Sequence, residues 1–391
     1  MLASVVVFVF GFGLVAGGLW DAFETVVLPR RVSRRFRIAL IFYVVTWRPY
    51  SAMARRIQDA TRRETFLSFY GPLSLILLFV VWAIVIIIGF SFLHWATGSG
   101  LSSSQAGPVD YGTVVYVSGT TFFTLGLGDV VPTTTFARAL TVVEGGTGFG
   151  FLALVIGYLP IVYQMFARRE TNVSLLDQRA GSPPSVGELL RRNVVGGDLM
   201  VLDQLLREWE SWVADLLESH LSYPTLAYFR SQHENQSWLA ALAVILDLCA
   251  FIQACGSSRA SRQAAFTFAI ARHAVADLAH VFNTAPRAPD KERLDPAAAK
   301  RLWELIGKGA HSELIVTEQR LAAIRAAYEP YLVALSEHLL MELPPWVPRP
   351  DATDNWESTA WDFASPAPVL GPDSPFHRDA PVTSPPQRTN W

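Results

Sequence analysis

The chain has 391 residues, of which 51% are hydrophobic and 17% charged, with a formal net charge of −2. Soluble domains carry about 25% charged residues, so an ordinary soluble protein is excluded, while the length leaves room for two or three domains. The net charge says little because it hides a strong local bias of arginines, and no nucleic-acid partner is expected.

Residues 1–20, MLASVVVFVFGFGLVAGGLW, carry no charge. About 20 apolar residues of helix cross a bilayer core of about 30 Å. The run lacks a basic leader and continues into Asp21 and Glu24 without a cleavage site, so it reads as an uncleaved transmembrane helix within residues 1–28. Gly11, Gly13, Gly17 and Gly18 suit close approach of a second helix. Asp21 and Glu24 are expected to be ion-paired interface residues beside the arginines that follow.

Residues 29–69 form a basic segment. Its short apolar stretch 36-FRIALIFYVVTW-47 is basic at both ends and reads as a cytoplasmic or interfacial helix. From Thr65 to Val109 the only ionisable groups are Tyr70 and His94, and residues 70–94 are expected to span. The arginines at 30–37 and 55–63, with Arg168 and Arg169, share one side of the membrane if the N-terminus is outside. By the positive-inside rule that side is the cytoplasm, which makes this a multi-pass protein of the cell membrane in contact with lipid.

The turn-rich stretch 96-ATGSGLSSSQAGP-108 is an exposed loop. After it, 111-YGTVVYVSGTTFF-123 is apolar but too short to cross and return, which suits a re-entrant helix. Irregular backbone follows in 124-TLGLGD-129. Non-helical backbone at membrane depth survives only buried in protein or lining a watery path. Gly126 and Gly128 tolerate positive φ, which lets successive carbonyls turn to one side. Four such strands around an axis would stack rings of carbonyl oxygens that replace a cation's hydration. The Thr124 hydroxyl would add an inner ring, and Asp129 would sit at the outer mouth. One chain supplies one strand, so a homotetramer is required.

T-L-G-L-G-D resembles the T-V-G-Y-G-D signature of potassium channels, and the order outer helix, pore helix, filter, inner helix over about residues 70–166 is similar to that of two-transmembrane bacterial potassium channels. The resemblance implies a selectivity filter of Thr124, Leu125, Gly126, Leu127 and Gly128, closed by Asp129, with potassium on the carbonyls of Thr124, Leu125, Gly126 and Leu127. Leu127 replaces the family's filter aromatic, whose ring braces the filter against pore-helix aromatics. Leucine cannot bond to Tyr116, so the brace becomes apolar packing, or Tyr116 reaches Asp129 instead. No arginine-rich sensor helix is present.

The inner helix is expected over 137–166. Gly148 lies nineteen residues after Asp129, where the resemblance implies a gating hinge; the residues themselves admit close packing equally well. Pro160 is a second possible kink. Glu144 is the only carboxylate or base between Ala139 and Ala167, and intramembrane carboxylates are functional candidates. It is expected behind the filter, bonded to filter or pore-helix backbone.

Residues 185–342 carry helical periodicity and are expected to form a cytoplasmic bundle. Leu202, Leu205, Leu206, Trp209, Trp212, Val213, Leu216 and Leu217 make one apolar face, capped by Asp198. Residues 238–255 read as a buried core helix, and further helices are expected over 260–283, 295–307 and 312–341. Cys249 and Cys255 read as reduced, packed thiols. His220, His233, His273, His280, His311 and His338 show no ligand spacing. Residues 343–391 read as a disordered tail.

The expected fold is an all-α membrane protein: a potassium-channel pore module with an added N-terminal span and a C-terminal helical domain that takes an unidentified ligand or protein partner. No enzyme chemistry and no cofactor beyond permeant potassium are expected. The alternatives are a weakly selective cation channel, because of Leu127, and a non-conducting membrane adaptor.

Overall fold

A computed structural model describes residues 2–28, 37–103, 109–194, 200–232, 235–255, 259–307 and 318–348. The arginines at 30–35, the Asp198 cap, His233, His311 and residues 349–391 lie outside them. Among the described residues the protein is almost entirely helical, and three segments are long and apolar enough to cross a membrane.

Helix α1 (Leu2–Val26) packs antiparallel on α4 (Tyr70–Ala96), and small residues set the approach. A Cβ on Gly11 would fall 2.8 Å from the Gly89 carbonyl, and one on Gly89 would fall 2.7 Å from Val15 Cγ2. Gly18 also faces α4, whereas Gly13 and Gly17 have nothing within 4 Å. Two of the four glycines therefore serve the crossing. Among the described residues Asp21 has no ion pair. It is buried and accepts from the backbone N–H groups of Ile38 and Ala39, each at 3.0 Å, and from Trp82 Nε1 at 2.8 Å. It thereby caps α2 (Ile38–Ala54) from another helix, satisfying donors that a helix start leaves open. Glu24 accepts from Trp20 Nε1 and lies 4.0 Å from Arg37.

Helix α2 buries Ala39 and Trp47 while Leu40, Ile41, Val44 and Val45 stay exposed, an arrangement suited to the membrane interface. Helix α3 (Ala60–Ser68) leads into α4. The loop after α4 is not wholly irregular: β1 (Leu101–Ser103) pairs antiparallel with β2 (Val130–Pro132). Between them lies α5 (Tyr111–Phe122), and after them α6 (Thr135–Ala180). Helix α6 passes through Pro160 without interruption and carries 46 residues, well beyond the span expected to end at 166. Its extension leads directly into the C-terminal domain.

That domain comprises α7 (Val186–Asn193), α8 (Val201–Ser222), a 3-10 turn (Pro224–Tyr228), α9 (Trp238–Ala254), α10 (Arg259–Val281), α11 (Pro296–Gly307), α12 (Glu318–Ala326) and α13 (Glu329–Leu339). Helix α9 is the core, buried almost throughout. Its Asp247 is paired with Arg293 at 2.5 Å and accepts from Tyr328 at 2.6 Å, so the buried charge is compensated. Cys249 and Cys255 are free thiols, and burial pushes Cys255 up to about 12. Of the helix expected over 312–341, residues 312–317 lie outside the described residues, and the rest is broken between Ala326 and Glu329, ahead of Pro330, which fits a helix start but not its interior. The expected tail also begins too early. Trp346 is fully buried, its carbonyl accepts from Gly187 N at 2.9 Å, and Arg293 binds the Pro344 carbonyl, so residues 343–348 belong to the core.

The domain is tied to the membrane helices. Leu226 and Phe229 share a core with Leu75, Leu78 and Phe79 of α4 and with Tyr158 and Val162 of α6. Arg169 of α6, itself buried, donates to the carbonyls of Leu226 and Phe229, each at 2.9 Å. On the other side, Trp47 of α2 donates to the His338 carbonyl at 3.0 Å.

Candidate functional site: the re-entrant segment

Helix α5 starts on Asp110, whose carboxylate accepts from Thr113 N at 2.8 Å and Thr113 Oγ1 at 2.6 Å. This is a side-chain cap with the anion at the positive end of the helix. At 12 residues the helix is about 18 Å long, too short to cross.

Its C-terminus closes through two bonds, Leu125 N to the Thr120 carbonyl at 2.7 Å and Thr124 N to the Thr121 carbonyl at 2.9 Å. This is the double-bonded helix stop whose pivot residue sits in the left-handed region, a place where glycine is usual. Here the pivot is Thr124, at φ 57°. Left-handed backbone costs an L-residue about 1–2 kcal/mol, and a β-branched residue there is an outlier. Gly126 at φ 52° and Gly128 at φ 78° continue the pattern, so every second residue from 124 to 128 has positive φ. Such alternation turns consecutive peptide planes over, which can align their carbonyls along one side of the strand.

Leu125 and Leu127 are 62% and 63% exposed, a large apolar surface at the centre of the segment. Tyr116 donates its hydroxyl to Asp129 Oδ2 at 3.0 Å, not to the leucines. Beyond Asp129 the β1–β2 ladder returns the chain to the loop after α4, and Thr133 N adds a bond to the Gly100 carbonyl at 2.8 Å.

Gly148 is buried against the end of α5. A Cβ there would lie 1.8 Å from the Phe122 carbonyl oxygen, so α6 passes α5 at backbone contact. Pro160 lies between the buried residues Tyr158 and Val162. Glu144 is fully buried, but its partners are side chains, not the backbone expected for it. They are Ser118 Oγ of α5, at short range, and His94 Nε2 of α4, at 3.3 Å. His94 and Ser118 were not singled out by sequence reasoning. The available signal was that His94 is the only imidazole in a run otherwise empty of charge. Among the described residues, no group of three or more His, Cys, Asp or Glu side chains is placed to hold a metal.

In the C-terminal domain, His220 is buried against Arg169, with Nε2 at 3.3 Å from the guanidinium and Nδ1 at 2.8 Å from the Leu216 carbonyl. Burial and the neighbouring cation push it well below the usual histidine range. His273 lies on the surface, 3.3 Å from Asp277.

Comparison with known proteins matches residues 75–164 to a family described as ion channel. An uncharacterized membrane protein of Bacillus subtilis (strain 168), YdjJ, is 27% identical over 184 residues, covering 46% of this chain and 52% of the relative. The chain thus spans about half the length of the curated relative it matches. No solved structure matches. The matched residues run from within α4, through α5 and the Thr124–Asp129 turn, to within α6, and over this stretch the chain is similar to the two-transmembrane, pore-loop ion channels.

Proposed function

We propose that the chain assembles as a homotetramer in the cell membrane and passes potassium down its electrochemical gradient. Thr124, Leu125, Gly126, Leu127 and Gly128 form the carbonyl filter and Asp129 its outer mouth. The observation that carries this is the left-handed backbone of Thr124. A strained β-branched residue at a helix stop that glycine would close without strain needs a reason. A carbonyl and a hydroxyl aimed at an ion supply one. The alternating sign of φ through Gly128 supports the same reading.

Within one chain the apolar part of α6 is 11% buried, as little as α1 at 17%, which leaves it a surface for lipid or for further copies of the chain. Val142, Phe149, Leu152 and Ile156 are all exposed and recur near one face of α6. The arginine distribution supports an N-terminus outside and a cytoplasmic C-terminal domain.

One observation favours weaker selectivity. Tyr116 is engaged by Asp129, and Leu127 has no polar brace, so the filter's width rests on apolar packing. The test is flux from the purified protein in liposomes under potassium and sodium gradients in turn, alongside Gly126→Ala. Potassium flux well above sodium flux, lost in the variant while the oligomer persists, is the expected result. Equal fluxes would establish a non-selective pore. Unchanged flux in Gly126→Ala would remove the filter assignment.

A further inference from the structure

Three helices meet at one buried polar point. His94 comes from α4, Ser118 from α5 and Glu144 from α6, and all three are fully buried. The contacts are Ser118 Oγ to the Ile87 carbonyl of α4 at 3.1 Å, Ser118 Oγ to Glu144 Oε1, and His94 Nε2 to Glu144 Oε2 at 3.3 Å. Among the described residues His94 Nδ1 is buried without a partner.

Counting protons separates the charge states open to Glu144 and His94. A serine hydroxyl has one hydrogen to donate. If it goes to the Ile87 carbonyl, which can only accept, the Ser118–Glu144 contact needs its hydrogen from Glu144. A protonated Glu144 provides it. Neutral His94 then donates from Nε2 to the other carboxyl oxygen, and its Nδ1 is a lone pair. Every hydrogen has an acceptor, and no net charge is buried. The ionised states fare worse. Glu144 as an anion would take the serine hydrogen and leave the Ile87 contact with none, and beside a neutral His94 it would also bury a charge with no counter-charge in contact with it. His94 as a cation would carry a buried N–H with no acceptor, at membrane depth, where unsatisfied donors are most costly.

From this we infer that Glu144 holds a proton and donates it to Ser118, and that His94 and Ser118 act with it as positioning residues that fix the pore helix, and through it the filter. The inference rests on the channel reading for its effect on ions, but not for the proton itself. The other titratable groups nearby are engaged elsewhere. Tyr111 meets Ser91, Asp129 takes the Tyr116 hydroxyl, and exposed Arg138 donates to the Pro132 carbonyl. His94 is the titratable group in contact with Glu144.

The experiment compares the full-length protein with Glu144→Gln and Glu144→Leu. Glutamine reproduces the protonated acid, with an amide donor for Ser118 and a carbonyl acceptor for His94. Leucine fills the space without either bond. The infrared difference between wild type and Glu144→Gln should contain the carbonyl stretch of a protonated carboxylic acid at neutral pH. A carboxylate signature in its place would overturn the inference, whether or not the protein conducts. The melting temperature of the oligomer should be kept in Glu144→Gln and lowered in Glu144→Leu. Equal losses in both variants would also overturn it. Where wild type conducts, its potassium-over-sodium ratio should survive in Glu144→Gln and fall in Glu144→Leu. Alkaline pH should erode the ratio in wild type and leave Glu144→Gln unaffected. An alkaline loss shared by both would refute the role of the proton. Absence of wild-type flux would count against the channel reading alone, with the infrared band and the melting temperatures still deciding the proton.

Discussion

Substituting Gly148 by alanine should disable the pore by moving it. The added Cβ would fall 1.8 Å from the Phe122 carbonyl oxygen, 2.7 Å from its carbon and 2.9 Å from its Cα. A Cβ needs at least 3.0 Å from such an atom, so the two helices must separate by roughly 1.2 Å. The obstacle is backbone, and no side-chain rotation relieves it. Phe122 is two residues before Thr124, so the shift is delivered to the inner end of the candidate filter. Over-packing costs about 1–3 kcal/mol, while alanine in place of glycine returns about 1 kcal/mol of helix propensity. A loss of up to about 2 kcal/mol per chain is therefore expected, with loss of flux. The assay is the melting temperature of the oligomer together with liposome flux, with Gly17→Ala as control. Gly17 has nothing within 4 Å, so its replacement should be neutral or slightly stabilising. A hinge without close packing predicts the opposite for stability, because alanine would leave the resting contacts intact. Wild-type melting and wild-type flux in Gly148→Ala would refute the close-contact argument.

Gly89→Val should free α1 from α4, since the new side chain would occupy the space of Val15 and the Gly11 backbone. The expected outcome is faster proteolysis around residues 20–40, while flux through the module at 75–164 is retained. Acid should loosen the seat of the C-terminal domain on α2. Burial and the nearby Arg55 push His338 down to about 4, against an ordinary histidine near 6.5. The unfolded chain therefore binds the proton first. The contribution of neutral His338 is complete above about pH 6.5 and is lost as pH falls through 4. Allowing for partial solvent access, about 1–2 kcal/mol should be gone by pH 5. Thermal unfolding of wild type against His338→Gln from pH 7 to 5 measures it, and parallel curves would contradict the assignment.

Much of the architecture was legible because it is written locally. Apolar runs without charge mark spans wherever they occur, since lipid admits little else. The one apolar face of α8 follows from spacings of three and four. The re-entrant turn was legible from its short length and its alternating glycines. Other features depended on residues far apart in the chain. Nothing near Glu144 predicts that it meets His94 and Ser118 instead of backbone, because those partners lie 50 and 26 residues away. Nothing near Asp21 predicts that it caps α2 and takes the Trp82 indole. Trp346 sits in a proline-rich stretch that composition assigns to a tail, and burial against the domain overrides composition.

The sequence by itself therefore determined the all-α membrane class and the three long apolar helices, because period, length and backbone preference act over a few neighbours. Only the tertiary structure decided that Gly148 touches Phe122 and that Gly11, not Gly13, meets α4. It alone revealed that one carboxylate gathers three helices. Those outcomes depend on which faces meet in three dimensions, and close packing makes that a property of the whole fold.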